Sequence, residues 1–502
     1  MKSIYIGLLS GLLWLQALPS YALFKIGFID IFPTVRATSR NFTDEPIDRL
    51  FYTQYHLNPK AAIVGIDYEI YGIHFFLALD FMKNLEAEFG NMAWTNIPIA
   101  KNLPAAGSSN FPSEGFIGYE NNLLSTSVGR RRAHLGPGTH SLMLSSQTPY
   151  FDGVWLSFHP ETRENERFIY TFFLAADDTA ALKRLWGSFD PYDSDINQPN
   201  RYRQRTKFLA VHRIGYQFEH IRFGIAESSV IYGTPLTFFN VNPAMFWHNT
   251  YEVGLNVTLG FDVEALVGAK KNVRVYGEFL LDDVKTAVEE DGNPHAFGLS
   301  LGVEWHLFDN EEIYLGANFD YDRNTVRERR ATFTQSGLRL GFQAIWATPY
   351  LYSRADDDPL GKLTFHNQLQ LGVGHWSVLE NYIGFTYGPD TILLELQANY
   401  LSERWKIDGA FGMLFWGKHG SSNSGFLPAY QGPMQIGGLF DPLNIGNNLF
   451  SGLERLLLIP NVRVFYAMKS WLSIYGGFYS ELDTLNFSRS RATLESGVAM
   501  RF

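Results

Sequence analysis

The sequence contains no cysteine. A disulfide scaffold, a thiolate-bound metal and a cysteine nucleophile are therefore excluded together. Charge is scarce as well. Charged residues make up 18% of the 502 positions, and the net charge of −10 is spread along the chain, without the basic face that nucleic-acid binding needs. After residue 22 there is no run of 18 apolar residues, so a membrane-spanning helix is not expected in the mature chain. What is abundant is apolar and aromatic: 46% hydrophobic residues, 41 Phe, 26 Tyr and 11 Trp, together with 45 Gly. That composition excludes a disordered chain.

Residues 1–22, MKSIYIGLLSGLLWLQALPSYA, read as a targeting segment. Lys2 supplies the positive start, Ile4 to Leu18 the apolar stretch, and Ser20-Tyr21-Ala22 the small residues before a cleavage site. Its removal leaves about −11 and a single expected domain, 23–502. An exported chain without spanning helices is either soluble or a closed β-barrel.

Alternation with period two recurs throughout. In 297–307, Phe297, Leu299, Leu301, Val303 and Trp305 oppose Gly298, Ser300, Gly302, Glu304 and His306. The same pattern runs through 63–70, 73–81, 272–283, 313–321, 337–346, 392–400, 404–413, 462–468 and 471–479. Roughly 18 such segments of about ten residues are present, the strand length a tilted transmembrane barrel uses. Apolar faces carry aromatics near strand ends (Trp305, Trp346, Trp405, Tyr400, Tyr466), as membrane interfaces favour. The fold class is therefore all-β: an antiparallel transmembrane barrel of about 18 strands with long extracellular loops. Long connections are expected at 84–114, 186–204, 232–250, 347–362 and 415–458, and a short helix at 178–187. If Phe502 is periplasmic, the turns at 467–471 and 401–404 are periplasmic too and 415–458 is extracellular. Two turns at 309–312 and 322–330 break this alternation.

Several groups invite a chemical reading. In the strand at 272–284, Arg274, Tyr276, Glu278 and Asp282 share one face, either as a polar site for a sugar or cation or as an ion-pair network filling the lumen. In VGRRRAHLGPGTHSLMLS at 128–145, Arg130 and Arg132 would share a strand face and could hold an acidic glycan bidentately. Gly136-Pro137-Gly138 reads as a turn, since the phosphate-loop pattern is missing. His134 and His140 lie near Ser141, and His212 stands apart, but nothing sets a base beside a nucleophile. No catalytic residue, metal site or cofactor is expected. The acidic run 356–358 reads as a solvated loop, lacking the spaced ligands of a calcium site.

The segment 127–158 resembles the Wzi-type capsule-assembly family of outer-membrane proteins. Gly129-Arg130, Gly136-Pro137-Gly138, Leu144-Ser145 and Pro149-Tyr150-Phe151-Asp152 carry the likeness. Further along, HRIGYQF with Arg213 at 212–218, Asn242-Pro243, YGEFLLDD ending at Asp283, and Gly388-Pro389-Asp390 follow in the same order. Leu135 stands where the family would place Trp. The resemblance implies an 18-stranded barrel closed by loops and a lectin-like, non-catalytic role in anchoring or organising exported polysaccharide. Aromatic and Arg or Asn groups of the outer loops, Trp247 among them with Phe238, Phe239, Phe246, Phe426 and Tyr430, would then meet the sugar. Expected partners are surface polysaccharide, outer-membrane lipids and the machinery that inserts barrels, which would read the alternating last strand ending in Phe502. A porin or substrate-specific channel is the alternative, and a barrel hydrolase a weaker one.

Overall fold

A strand with an apolar side chain at every second residue can hide that row only against another sheet or against lipid. A computed structural model shows the rows turned outward from one closed ring. It describes residues 27–39, 60–81, 93–96, 113–146, 150–163, 166–177, 206–233, 236–237, 242, 255–268, 270–283, 295–307, 337–352, 363–372, 375–417, 450 and 452–502. The signal segment, the expected helix at 178–187 and the strand at 313–321 fall outside them.

The ring is a closed 18-stranded antiparallel barrel in which each strand pairs with its neighbours in sequence. The first stave is split into Gly27–Ile31 and Thr34–Thr38 around Pro33, and both pieces pair with the last strand, Arg491–Arg501. Backbone bonds carry the closure to the final residue: Ile29 N–H donates to Phe502 O at 3.0 Å and Phe502 N–H to Ile29 O at 2.9 Å. Joining the first strand to the last closes the ring, the condition for crossing a bilayer with strands.

Strand bounds follow the alternation closely. The expected 73–81, 337–346 and 392–400 correspond to Ile73–Phe81, Gly337–Ala347 and Thr391–Leu401. The loop expected at 415–458 is shorter than that. Trp405–Gly417 and Leu453–Lys469 continue into it and pair Trp416 with Arg455, and Arg455 is fixed by Asp483 at 2.9 Å. The connection expected at 347–362 is longer than that: the ring resumes at Thr391, and a hairpin before it, Thr364–Gly372 with His375–Tyr382, is paired to itself and not to the ring.

Outward residues include Val128, Val275, Leu301, Leu396 and Leu494, all exposed, while their inward neighbours are covered. Leu494 and Phe502 are 61% and 62% exposed, and Phe502 stacks on Trp471 with centroids 5.7 Å apart. Exposed Tyr71, Tyr119, Phe158, Phe218, Trp305, Tyr400, Trp405 and Trp471 all sit at this same end of the barrel. They form one aromatic girdle, where amphipathic rings lie at a membrane interface.

The same end holds the tight turns. Ile70↔Ile73, Gln217↔Arg222, Leu401↔Lys406 and Lys469↔Leu472 are all closing pairs there. The longer connections after Thr38, Phe81, Ala176, Tyr232, Asp283 and Gly417 leave from the opposite end. The broken alternation around 309–330 has a simple resolution: Ala296–Leu307 and Gly337–Ala347 pair directly, Leu307 with Leu338, so 308–336 joins two adjacent staves at the short-turn end.

Candidate functional site: the plugged lumen

After Arg131 the chain leaves the wall and turns into the barrel. Ala133, Leu135, Leu142, Met143 and Leu144 are at most 1% exposed. They pack with Leu351, Tyr352, Leu363, Phe365, Ile383 and Phe385 of the connection 348–390 against inward wall residues such as Phe173, Val211, Leu280, Leu393 and Trp416. Two inserted segments and the wall thus share one hydrophobic core, which closes the lumen toward the long connections.

Polar side chains of the wall fasten this plug. Glu278, 2% exposed, receives Leu142 N–H at 3.0 Å and Met143 N–H at 2.8 Å on Oε1, with Ser141 Oγ 2.9 Å away. Its Oε2 has no hydrogen-bond partner among the described residues. Gln343 Nε2 donates to His140 O at 2.7 Å and its Oε1 accepts His140 N–H at 3.2 Å. Arg274 Nη1 donates to Pro137 O at 3.0 Å, and Tyr352 Oη to Leu142 O at 2.7 Å. Asp282 accepts Tyr352 N–H at 2.7 Å. The Gly136-Pro137-Gly138 turn is tight because the wall is close: a Cβ on Gly138 would stand 2.9 Å from Tyr276 Cε2.

The two plug histidines are shifted in opposite directions. Burial pushes His134 down to about 4; its Nε2 lies 3.0 Å from Gly138 O. Burial also opposes charge on His140, but Glu395, 3.2 Å away, outweighs it and raises that imidazole.

Toward the short-turn end the inward positions carry ion pairs. Arg213 grips Asp262 with two bonds, 2.7 and 2.6 Å, both side chains fully covered. Its guanidinium lies across Gly224, where any Cβ would collide with it. Arg274 joins Glu264 at 2.8 Å and Glu304 at 2.7 Å, and Arg222 reaches Glu264 at 3.8 Å.

Of the residues singled out in the sequence, Arg213, Arg274, Tyr276 and Glu278 are inward, buried and engaged by the protein itself. Arg130 and Arg132 do not share a face, contrary to expectation. Ser127 and Arg131 are inward and buried while Val128 is 58% exposed, so strand parity turns Arg130 outward. It forks onto Asp152 at 2.8 and 2.7 Å and lies 3.8 Å over the Tyr150 ring. Arg132 comes after the strand has ended and faces Glu114 instead, at 4.0 Å. Gly129 has φ +133° at this departure. Asp283 ends its strand. Asn242 is described, but Pro243, Trp247 and the other loop aromatics lie outside the described residues.

Ser141, His134 and His140 each bond a different partner, and His212 lies on the outer wall with Tyr170 Oη 2.9 Å from its Nδ1. No group of three or more His, Asp or Glu suited to a metal stands together among the described residues. Sequence reasoning missed Gln343, Glu395 and Tyr352 as plug contacts. The first two occupy inward parity positions of their strands, which was the available signal; Tyr352, in a non-repetitive segment with φ +65°, had none.

The fold is a closed antiparallel β-barrel of 18 strands. Solved structures with which it aligns include Wzi, an outer-membrane protein involved in group 1 capsule assembly in Escherichia coli and a carbohydrate-binding β-barrel. That alignment has 13% identity over 95% of this chain and 85% of the other, with a TM-score of 0.48. Pseudomonas aeruginosa OccD3 (OpdP) aligns at 8% identity over 95% and 90%, TM-score 0.40, and P. aeruginosa OpdK with vanillate at 8% over 95% and 98%, TM-score 0.38. No protein-family model matches the chain, and the comparison with curated proteins finds no match.

Proposed function

We propose that this barrel is exported by its N-terminal signal, inserted in the outer membrane, and there anchors or organises surface polysaccharide, capsular or exopolysaccharide, without catalysis. The observation that carries this reading is the plug. A lumen sealed by a hydrophobic core and fastened through Glu278, Gln343 and Arg274 suits a scaffold better than a wide pore. The long connections then become the working surface, and carbohydrate binding of the kind known for Wzi would fall to Trp247 and its neighbouring loop aromatics. Barrel insertion would use the alternating last strand that ends in Phe502.

The test is deletion of the gene followed by measurement of cell-bound against shed polysaccharide. Shedding should rise on deletion and fall again on complementation; unchanged retention overturns the reading. Planar-bilayer recording of the purified barrel should be silent, and steady single-channel conductance would instead make it a diffusion channel.

A further inference from the structure

Beneath the plug, toward the short-turn mouth, the described residues leave part of the lumen open. A cavity of about 430 Å³ lies there, within the range of about 300–1,000 Å³ typical of small-molecule sites. Its wall is a belt set by strand register. Arg339, Asn399, Asp408, Arg463, Gly477 and Glu495 are successive cross-strand partners on six adjacent strands. Two residues further in lie Gln397, Asn461 and Tyr479, and Thr139 of the plug also lines the cavity.

Among the described residues, one cation of this belt is held by no carboxylate. Arg463 is held by Glu495, with Nη2 2.7 Å and Nε 2.8 Å from the same Oε1. Asp408 accepts Asn399 Nδ2 at 3.1 Å and has Lys406 Nζ 3.4 Å away. Arg339 differs: its Nε and Nη2 both donate to the neutral Asn399 Oδ1, at 3.3 and 3.1 Å, and it is exposed to the cavity. Arg36 and Arg491 also line the cavity, and Arg491 is paired with Glu481 at 3.0 Å. A planar guanidinium that keeps its charge matches the two oxygens of a carboxylate. The rest of the wall defines what the carboxylate is attached to. Amide and hydroxyl groups of Gln397, Asn461 and Tyr479 both donate and accept, as a polyhydroxylated ring requires. Asp408 and Glu495 accept from hydroxyls and repel ligands of higher negative charge such as phosphate.

We propose that this cavity binds a sugar acid, a hexuronate-like ring carrying one carboxylate, with Arg339 as its anchor and entry from the short-turn mouth. The site lies at the end opposite the surface assigned to polysaccharide retention and does not depend on that assignment.

The experiment is calorimetric titration of the purified full-length barrel in detergent with D-glucuronate, D-glucose and inorganic phosphate. Glucuronate should bind saturably, glucose and phosphate at least about tenfold more weakly, and Arg339→Gln should lose at least about tenfold in glucuronate affinity. Heat-dependent gel mobility verifies that each variant is folded. Asn461→Trp, which fills the cavity without altering a charge, should abolish binding. No saturable glucuronate binding, equal affinity for glucose or phosphate, or full affinity in folded Arg339→Gln overturns the proposal. Retained polysaccharide with no glucuronate binding would sink only this inference, and glucuronate binding with unchanged shedding on deletion only the anchoring role.

Discussion

The two halves of the lumen are built on opposite principles, though the same strands line both. Along Lys207–Gln217 the inward residues change from Leu209 and Val211 to Arg213; along Leu453–Lys469 they change from Leu457 and Ile459 to Asn461 and Arg463. Along Thr391–Leu401 Leu393 gives way to Glu395, Gln397 and Asn399. The apolar half is a protein core, packed against two inserted segments. The polar half relies on matched ion pairs, because a buried charge is tolerated only when its partner and hydrogen bonds are in place. The level at which each inward row switches marks the depth of the plug.

The comparison can be broken from the polar side first. Asp262→Ala removes both bonds to the covered Arg213 guanidinium, and should cost about 3–5 kcal/mol. Replacing Arg213 and Asp262 together by Met and Leu should recover much of that, since an apolar pair needs no partner. Urea unfolding of the detergent-solubilised barrel, followed by gel mobility, measures both. Leu142→Ala attacks the apolar side, at about 2–5 kcal/mol depending on how far the plug collapses into the void. Its loss should appear as weakened plug protection before the ring itself unfolds. Equal effects on plug and ring would mean that the halves are one cooperative unit.

The ring was legible from sequence because a single physical rule, alternate side chains to alternate faces, repeats in every stave. Ile73–Phe81 and Thr391–Leu401 emerge almost to the residue. The plug was only half legible. Gly136-Pro137-Gly138 announced a turn, but nothing local says that a turn lies inside a lumen; that depends on Glu278, Gln343 and Arg274, more than a hundred residues away. Arg130 and Arg132 were misassigned to one face for the same reason, since the strand ends between them. The mixed inward rows were present in the sequence, but a row such as Leu393, Glu395, Gln397 reads as imperfect alternation until the depth of the plug gives it meaning.

The contact between the halves is the sharper place to test. Glu278→Leu removes the acceptor of the Leu142 and Met143 N–H groups. A buried donor left without its acceptor costs about 1–3 kcal/mol, so hydrogen exchange at those two amides should accelerate at least about tenfold, while amides of the ring, such as Phe502 and Ile29, stay protected. Acceleration everywhere would mean that Glu278 supports the barrel and not the plug alone.

The smallest effect expected is a pH dependence. His134 is held neutral by burial, with its pKa lowered from 6.5 to about 4. A base whose folded pKa is depressed stabilises the fold above its unfolded value, and that contribution drains away as pH falls from about 6.5 toward 4. His140 acts in the opposite sense and in a different window: Glu395 raises its pKa and favours the charged form, so its contribution is complete below about 6.5 and drains away as pH rises above that value. Protection of the Leu135 N–H, which bonds Leu144 O at 2.9 Å, should therefore decline modestly over the acid range of His134 after correction for intrinsic exchange. His134→Gln should remove the acid-side decline and leave the loss at higher pH due to His140. A profile unchanged by that substitution would show that the neutral imidazole contributes nothing to holding the plug.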